Sequence, residues 1–408
     1  MKNNFIYLDN EEKSSSNQNK PFVYLDNGAT TKVDEETAEL IKKNIIEEYG
    51  NPSSIYEFGL NSFHNIENVR DLIKEKINAE KEDNLIFNSG ATESNNFAIF
   101  GMAELGLKNN KKKLITTNIE HGSIKAPSKQ LQKKGFEVVY LNVDKEGFID
   151  FDQLIKELDE NVFLVSIIHA NHEVGTIQDI ERIGNLCKEK NVFFHIDAAQ
   201  SFTKIEIDVK KQNVDLLSLN SHKIHGPKGI GALYVRKGIK LKKMIFGGPQ
   251  ENNLRSGTEN IPGIVGFGKA TEIAFDKNEE KVKGMKKLRD YFIAKVLEIP
   301  NSHLNGSKGE KRLCNNINIT FDFIEGEALL MHLNMKGICI STGSACSSRS
   351  LEPSDILISM GRSHEQAHGS VRFTLSKYTT KEELDYALDC LKESVENLRK
   401  LSPLTPKQ

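Results

Sequence analysis

Four short runs of this 408-residue chain place reactive side chains where packing alone would not. Cys346 sits in Ser341-Thr342-Gly343-Ser344-Ala345-Cys346-Ser347-Ser348, a segment too small and polar to bury a thiol, whereas free cysteine is normally among the most buried residue types. As a thiolate it would be a nucleophile; the plain alternative is an incidental surface thiol. Lys223 follows the apolar run Val214 to Leu219 and then polar Ser221 and His222, just before the turn at Gly226-Pro227. A lysine forms Schiff bases with carbonyl compounds when its surroundings lower its pKa; otherwise it is a solvated charge. Asp197 closes the run Val192 to Ile196, 26 positions before Lys223. In Leu85-Ile86-Phe87-Asn88-Ser89-Gly90-Ala91-Thr92-Glu93 a short strand passes through a small-residue turn into a helix. Such a turn aims backbone N–H groups and a helix dipole at one point, which suits a phosphate. Read alone, it is an ordinary N-cap with Ser89 or Thr92 as the capping residue.

Together the pieces specify more than they do singly. A Schiff-base lysine, a carboxylate for a pyridinium nitrogen and a phosphate-binding turn are the protein's part in pyridoxal phosphate chemistry. All three fall at the carboxyl ends of predicted strands, where ligands bind in open α/β sheets.

The elements that must hold these groups follow from periodicity. Strand-like runs at 114–119, 137–143, 162–169, 192–196, 214–219 and 231–235 alternate with helix-period segments such as Ser62 to Asn78, which predicts an α/β unit with a mostly parallel sheet covered on both faces. After Gly263 a long helical region is expected to about Leu297. The strand Ile317 to Phe321, a strand from Gly337 to Ile340, the thiol segment, the strand Ser370 to Leu375 and a helix from Lys381 to Leu398 come next. That order predicts a smaller α+β unit, with Cys346 on it and Lys223 on the larger one. The reaction is then expected between them.

The quoted runs, with Tyr24-Leu25-Asp26-Asn27-Gly28-Ala29-Thr30-Thr31, Gly50-Asn51-Pro52-Ser53-Ser54, His169-Ala170-Asn171-His172-Glu173-Val174-Gly175 and Arg255-Ser256-Gly257-Thr258, resemble the class I cysteine desulfurases of the NifS/IscS type. These belong to the class-V aminotransferase family of pyridoxal phosphate enzymes. The resemblance runs from about Phe22 to about Leu404 in the family's order. It implies the fold type I architecture of pyridoxal phosphate transferases. The divisions expected are an extension over 1–21, a segment at 22–35 joining the small domain, a large cofactor domain at 36–275, and a small domain at 276–408 whose thiol loop spans 341–361.

The activity implied is conversion of L-cysteine to L-alanine, with sulfur passed to Cys346 as a persulfide and then to an acceptor or iron–sulfur scaffold protein. Lys223 would carry the cofactor and move the Cα proton. Asp197 would face the pyridine nitrogen, and His121 would stack on the ring and assist proton transfer; taken alone, His121 reads as a strand-end histidine bonded to backbone. Asn171 and Gln200 match contacts to the ring hydroxyl oxygen, with Asn171 also near substrate. Ala91, Thr92, Ser221 and His222 match the phosphate cradle. Thr258 matches a phosphate contact supplied by a second subunit, which makes a homodimer the default. Arg372 matches the clamp for the substrate carboxylate, a task suited to the planar guanidinium; by itself it reads as an edge-strand charge. The chain departs from the family at Asn220, where serine is common beside the phosphate, and its tail to Gln408 is shorter than in members whose tail docks an iron–sulfur scaffold. Selenocysteine lyase and a catalytically silent partner of sulfur-transfer proteins are the alternatives. A transaminase-like enzyme would not need Cys346.

Composition sets the remaining bounds. Lys+Arg 55 against Asp+Glu 57 leaves a formal net charge of −2, no electrostatic case for nucleic acid or an anionic membrane as a partner. No run approaches the eighteen apolar residues of a span. The first twenty residues hold Asp9, Glu11 and Glu12, no arginine and no apolar core, unlike a transit or secretory peptide, so a cytoplasmic location is expected. Five cysteines without paired spacing fit a reducing compartment, with Cys187 and Cys390 expected to be buried or half-buried on helices and Cys314 and Cys339 in or beside strands. The histidines lack ligand spacing, and no metal site is expected. Phe5-Ile6-Tyr7-Leu8-Asp9-Asn10 nearly repeats Phe22-Val23-Tyr24-Leu25-Asp26-Asn27. Only the second copy continues into the family motif, and the first is expected to be a disordered extension.

Overall fold

The computed structural model of the protein describes residues 21–342 and 352–403. Cys346 and the first copy of the repeat lie outside them. After the two-residue strand β1 (Val23–Tyr24), seven short runs build one sheet: β2 (Asn84–Asn88), β3 (Lys113–Thr117), β4 (Glu137–Leu141), β5 (Val162–Ile168), β6 (Phe193–Asp197), β7 (Leu216–Asn220) and β8 (Gly231–Val235). Their order is β2-β8-β7-β6-β5-β3-β4. Neighbours from β7 to β4 pair in parallel, and β8 runs antiparallel to both β7 and β2. The mostly parallel sheet expected from the alternating runs is therefore present.

Both faces of this sheet are covered, which is why β5, β7 and β8 are buried at every position. The helices preceding and joining the strands are α1 (Glu35–Ile46), α2 (Glu57–Lys76), α3 (Ala91–Lys108), α4 (Gly122–Lys133), α5 (Phe151–Glu157) and α6 (Ile180–Glu189). Past β8 come the short turn α7 (Gln250–Asn253), α8 (Ile261–Phe275) and α9 (Asn278–Val296). Strand side chains alternate between two cores. Leu85, Phe87, Leu217 and Leu219 meet Ile66, Ile73, Ile183 and Phe267 on one face, while Ile86, Leu114, Leu164 and Leu216 meet Phe97, Met102 and Ile124 on the other.

The helix expected after Gly263 is two helices. Asp276 is extended and Lys277 is left-handed at φ 47°, so α8 packs on α1 and α2 while α9 packs on the second layer. A two-residue break of this kind interrupts the helix too briefly for the hydrophobic period to show it.

That layer is a four-stranded antiparallel sheet of β9 (Ser302–Leu304), β10 (Asn316–Phe321), β12 (Ser341–Thr342) and β13 (Ser370–Thr374), with β11 (Ile338–Cys339) paired in parallel to β1. Helices α10 (Gly326–Met335), α11 (Asp355–Ser359), α12 (His364–His368) and α13 (Lys381–Leu401) accompany it. Val23 and Leu25 from the start of the described chain are buried in its core beside Ile317, Phe373 and Leu388.

The stretch from Leu25 to Asp34 ties the two sheets together. Thr374 N–H donates to the Leu25 carbonyl at 2.6 Å, and Thr374 Oγ1 accepts from Gly28 N–H at 2.6 Å. Further on, Thr31 N–H donates to the His222 carbonyl and Asp34 N–H to the His225 carbonyl, each at 3.0 Å. Thr374→Val keeps the side-chain volume and leaves the buried Gly28 N–H without its acceptor, which is expected to cost about 1–3 kcal/mol. Urea unfolding of the purified variant would measure it.

Candidate active site

The carboxyl ends of β2, β3, β5, β6 and β7 open on a cleft of about 810 Å³ whose far wall includes Arg372 of β13. Parallel strands all deliver their last residues to the same edge, so groups distant in sequence converge there. Lys223 lies in the turn after β7 and is half-buried. Its Nζ donates to the Gly28 carbonyl, which also accepts from Gln200 Nε2 at 3.0 Å.

Asp197, the last residue of β6, is held at the floor. One carboxylate oxygen accepts from Asn95 Nδ2 at 2.7 Å and the other from Ala199 N–H at 2.9 Å. Asn95 also donates to Ser123 Oγ at 2.8 Å, and Ser123 Oγ lies 2.8 Å from His121 Nδ1. His121 caps α4 by accepting Ser123 N–H on Nδ1 at 3.1 Å. A neutral His121 therefore carries its proton on Nε2. Burial lowers its pKa and the nearby Asp197 carboxylate opposes the shift, which leaves the imidazole neutral at pH 7. His172 packs edge-on against it, ring centroids 5.1 Å apart, and burial drives its pKa down as well.

Ser89 to Thr92 form the start of α3. Ser89 N–H is taken by Glu93 Oε2 at 2.9 Å and Gly90 N–H by Asn88 Oδ1 at 3.0 Å, so the anion-facing donors are the first amides of the helix proper. Gly231 is required beside them: a Cβ there would come within 2.5 Å of the Leu219 carbonyl oxygen and 2.6 Å of Gly90 Cα. Ala91, Thr92 and His222 line the cleft, and burial next to Lys223 pushes the His222 pKa down to about 4.

Two expected contacts do not border the cleft, and Thr258, expected to serve a second subunit's site, lies outside it. Ser221 is fully buried behind the cleft wall, because β7 turns its side chain toward Gly226. Its neighbour Asn220 lines the cleft instead, 4% exposed, with Oδ1 unpartnered among the described residues. Asn171 spends its amide on the backbone, donating to the Ile119 carbonyl and accepting from Glu173 and Val174 N–H, each at 2.9 Å. It shapes the turn and does not border the cleft. Thr258 is exposed outside it, on a turn tethered by Arg255 Nε to Glu93 at 3.0 Å.

Arg372 is 5% exposed and spreads its fork between the His172 carbonyl at 2.8 Å and Asp26 Oδ1 at 3.0 Å, with Nε unpartnered among the described residues. Sequence reasoning missed two buried carboxyls on the cleft, Glu120 and Glu173, although Glu173 lies inside a run it singled out and Glu120 stands next to His121. Burial pushes Glu120 up to about 8 and Glu173 up to about 7. It also missed Asn95 and Ser123, whose type and helical position gave no chemical signal. Burial raises the Cys187, Cys314 and Cys339 thiols above their ordinary range, and none of the described cysteines borders the cleft.

A lysine amine, a carboxylate held by two donors, and a helix start presenting its first amides match the charges of a phosphorylated pyridine aldehyde. The aminotransferase class-V family model matches residues 23–387. The chain belongs to that family. It is 48% identical over 398 residues to the cysteine desulfurase IscS of Methanosarcina thermophila, covering 98% of each chain, and 49% identical over 382 residues to that of Dictyoglomus turgidum, covering 93% and 96%. A NifS-like protein of known structure superposes with a TM-score of 0.87 at 38% identity, covering 93% of this chain and all of that one. The class-V family uses pyridoxal phosphate, and Lys223, Asp197, Ala91, Thr92 and His222 line the cleft where they could hold it.

Glu120 gives this site a pH signature. Its folded-state pKa of about 8 lies above the roughly 4.3 of an unfolded glutamate, so the folded protein binds the extra proton and loses stability as pH rises between these values. Glu120→Gln should remove that slope, its melting-temperature advantage over wild type growing from pH 5 to 8 and levelling above. An advantage that is flat or shrinks with pH would contradict the assignment.

Proposed function

We propose that the protein is a pyridoxal-phosphate-dependent cysteine desulfurase that converts L-cysteine to L-alanine and loads the sulfur on Cys346. The observation that carries this is the convergence of Lys223, Asp197 and Arg372 on one cleft, in a chain 48% identical over nearly its full length to a cysteine desulfurase.

Each residue has a physical task. Arg372, held by His172 and Asp26, offers its guanidinium to the substrate carboxylate and so orients Cα toward Lys223. Lys223, beside the Gly28 carbonyl, carries the cofactor and then takes and returns the Cα proton. The cofactor, when bound, supplies the electron sink that no side chain can offer. Asp197 faces the pyridine nitrogen from the floor of the cleft, and Asn95 and Ala199 fix where its carboxylate points. His121 presents Nε2–H to the cleft as a hydrogen-bond donor. Cys346 as thiolate forms an S–S bond with the substrate sulfur as the Cβ–S bond breaks. The electron pair stays on Cβ, which takes a proton and becomes the alanine methyl group, so cysteine and thiol give alanine and persulfide with no external oxidant.

The persulfide then passes to a thiol on an acceptor protein in iron–sulfur or other sulfur-cofactor assembly, in the cytoplasm. The active unit is a homodimer. Exposed Ile45, Ile46, Tyr49, Ile55 and Tyr56 around the α1–α2 connection support this, since contiguous apolar surface marks an interface. The exposed Thr258 turn supports its role as a phosphate contact in the partner subunit. Ile55, 92% exposed, is the site for a disrupting charge: Ile55→Lys should sediment as a monomer and lose activity, and an active monomer would exclude a shared site.

The purified protein should show a visible cofactor band that Lys223→Ala abolishes or shifts. Alanine and sulfide release from L-cysteine should fall by about a hundredfold or more in Cys346→Ala. Undiminished sulfide from Cys346→Ala would exclude the persulfide route, and turnover of L-selenocysteine alone would make the enzyme a selenocysteine lyase.

A further inference from the structure

The Asn171–Gly175 turn takes bonds from directions that the reaction does not use. The Glu173 carbonyl accepts Asn316 Nδ2 at 3.0 Å and Asn318 Nδ2 at 3.2 Å from β10. Its carboxyl, buried on the cleft wall at 6% exposure, accepts Ser354 Oγ at 2.5 Å. Ser354 Oγ in turn accepts Leu357 N–H at 3.3 Å and caps α11. Below this pair Ile356, Leu357 and Met360 pack on Ile119 and Val174, the residues next to Glu120 and Glu173. Lys125 and Asp355 add a looser contact at 3.9 Å, which is worth little with Asp355 in solvent.

We propose that Glu173 is a positioning residue for sulfur transfer, acting through Ser354 to fix the point at which the chain carrying Cys346 rejoins the cleft wall. The inference rests on the desulfurase reading above. Cys346 lies four residues after Thr342, which β12 pairs to Val371 of β13, and eight residues before Ser354. Chain length alone limits its reach to about 14 Å from the first anchor and about 29 Å from the second. Both anchors sit at the cleft: Thr342 is one register position from the Ser341–Arg372 pair, and Ser354 lines the wall. Without the Glu173–Ser354 bond α11 keeps only its apolar packing on Ile119 and Val174 and the loose Lys125 contact, so the second anchor point of the thiol is less narrowly placed. That lowers its effective concentration at the substrate sulfur, where the S–S bond forms as the Cβ–S bond breaks.

A buried carboxyl is a costly way to make one hydrogen bond, and a carboxamide could accept the same hydroxyl proton. The conservative variant therefore separates positioning from charge. With holoenzyme and L-cysteine in D₂O, proton NMR follows Cα–H exchange, which precedes sulfur transfer. Alkylation and mass spectrometry follow Cys346 persulfide in a single turnover. Glu173→Ala and Ser354→Ala should keep the cofactor band and exchange within about twofold, while persulfide formation slows about tenfold or more. Glu173→Gln and Ser354→Thr should restore it to within about threefold, and the double alanine variant should be no slower than either single one. Undiminished persulfide in both alanine variants, exchange that falls in step with it, or a Glu173→Gln enzyme as slow as Glu173→Ala would each overturn the proposal. A wild type that exchanges Cα–H but forms no persulfide on Cys346 would sink the desulfurase reading and this one with it. A wild type that does form it confines any failure to Glu173.

Discussion

The site depends on a single strap of backbone, Leu25 to Asp34, bonded to two sheets at once. On one side it takes the edge of β13 through Thr374, and on the other it takes the turn that carries Lys223 through the His222 and His225 carbonyls. Its middle residue, Gly28, turns a carbonyl to Lys223 and Gln200, and Asp26 holds Arg372. The amine and the guanidinium sit on separate sheets, and this strap sets their spacing together with the bond from Arg372 to the His172 carbonyl and those from β10 to the Glu173 carbonyl. The N–H groups of the strap's buried residues Leu25, Asn27, Gly28, Thr31 and Asp34 are paired, because unpaired ones at such depth would cost more than the connection gains.

The same burial that makes the cleft also sorts its protonation states. His121, His172 and His222 are driven toward the neutral imidazole, and Glu120 and Glu173 toward the neutral acid. Asp197, at the floor, accepts two N–H donors on its carboxylate. The network from Asp197 through Asn95 and Ser123 to His121 also links the floor of the cleft to this imidazole.

Legibility in the sequence followed the range of the interaction. β5, β7 and β8 are short apolar runs buried on both faces, and their period and length announced them. Asp197 and Lys223 were visible because a charged group directly after such a run is conspicuous. Asn95 and Ser123 were not, since a polar residue in a helix acquires meaning only from what packs against it. Ser221 and Asn220 show the limit at one residue: adjacent side chains of a strand end point to opposite faces, and only the pairing of Asn220 with Gly231 shows which one borders the cleft. The break at Lys277 was hidden for a similar reason, because its cause is the need to change packing partners.

The sequence by itself determined the class of fold, the order of strands along the chain and the set of reactive groups, because these follow from local periodicity and from residue types next to strand ends. It also carried the family resemblance that named the cofactor and the reaction. Only the tertiary structure decided which groups share the cleft, which carboxyls lose water and change their protonation, and that Glu173 reaches across 181 positions to Ser354. Those outcomes depend on distances between segments far apart in the chain, and desolvation and hydrogen bonding act through space.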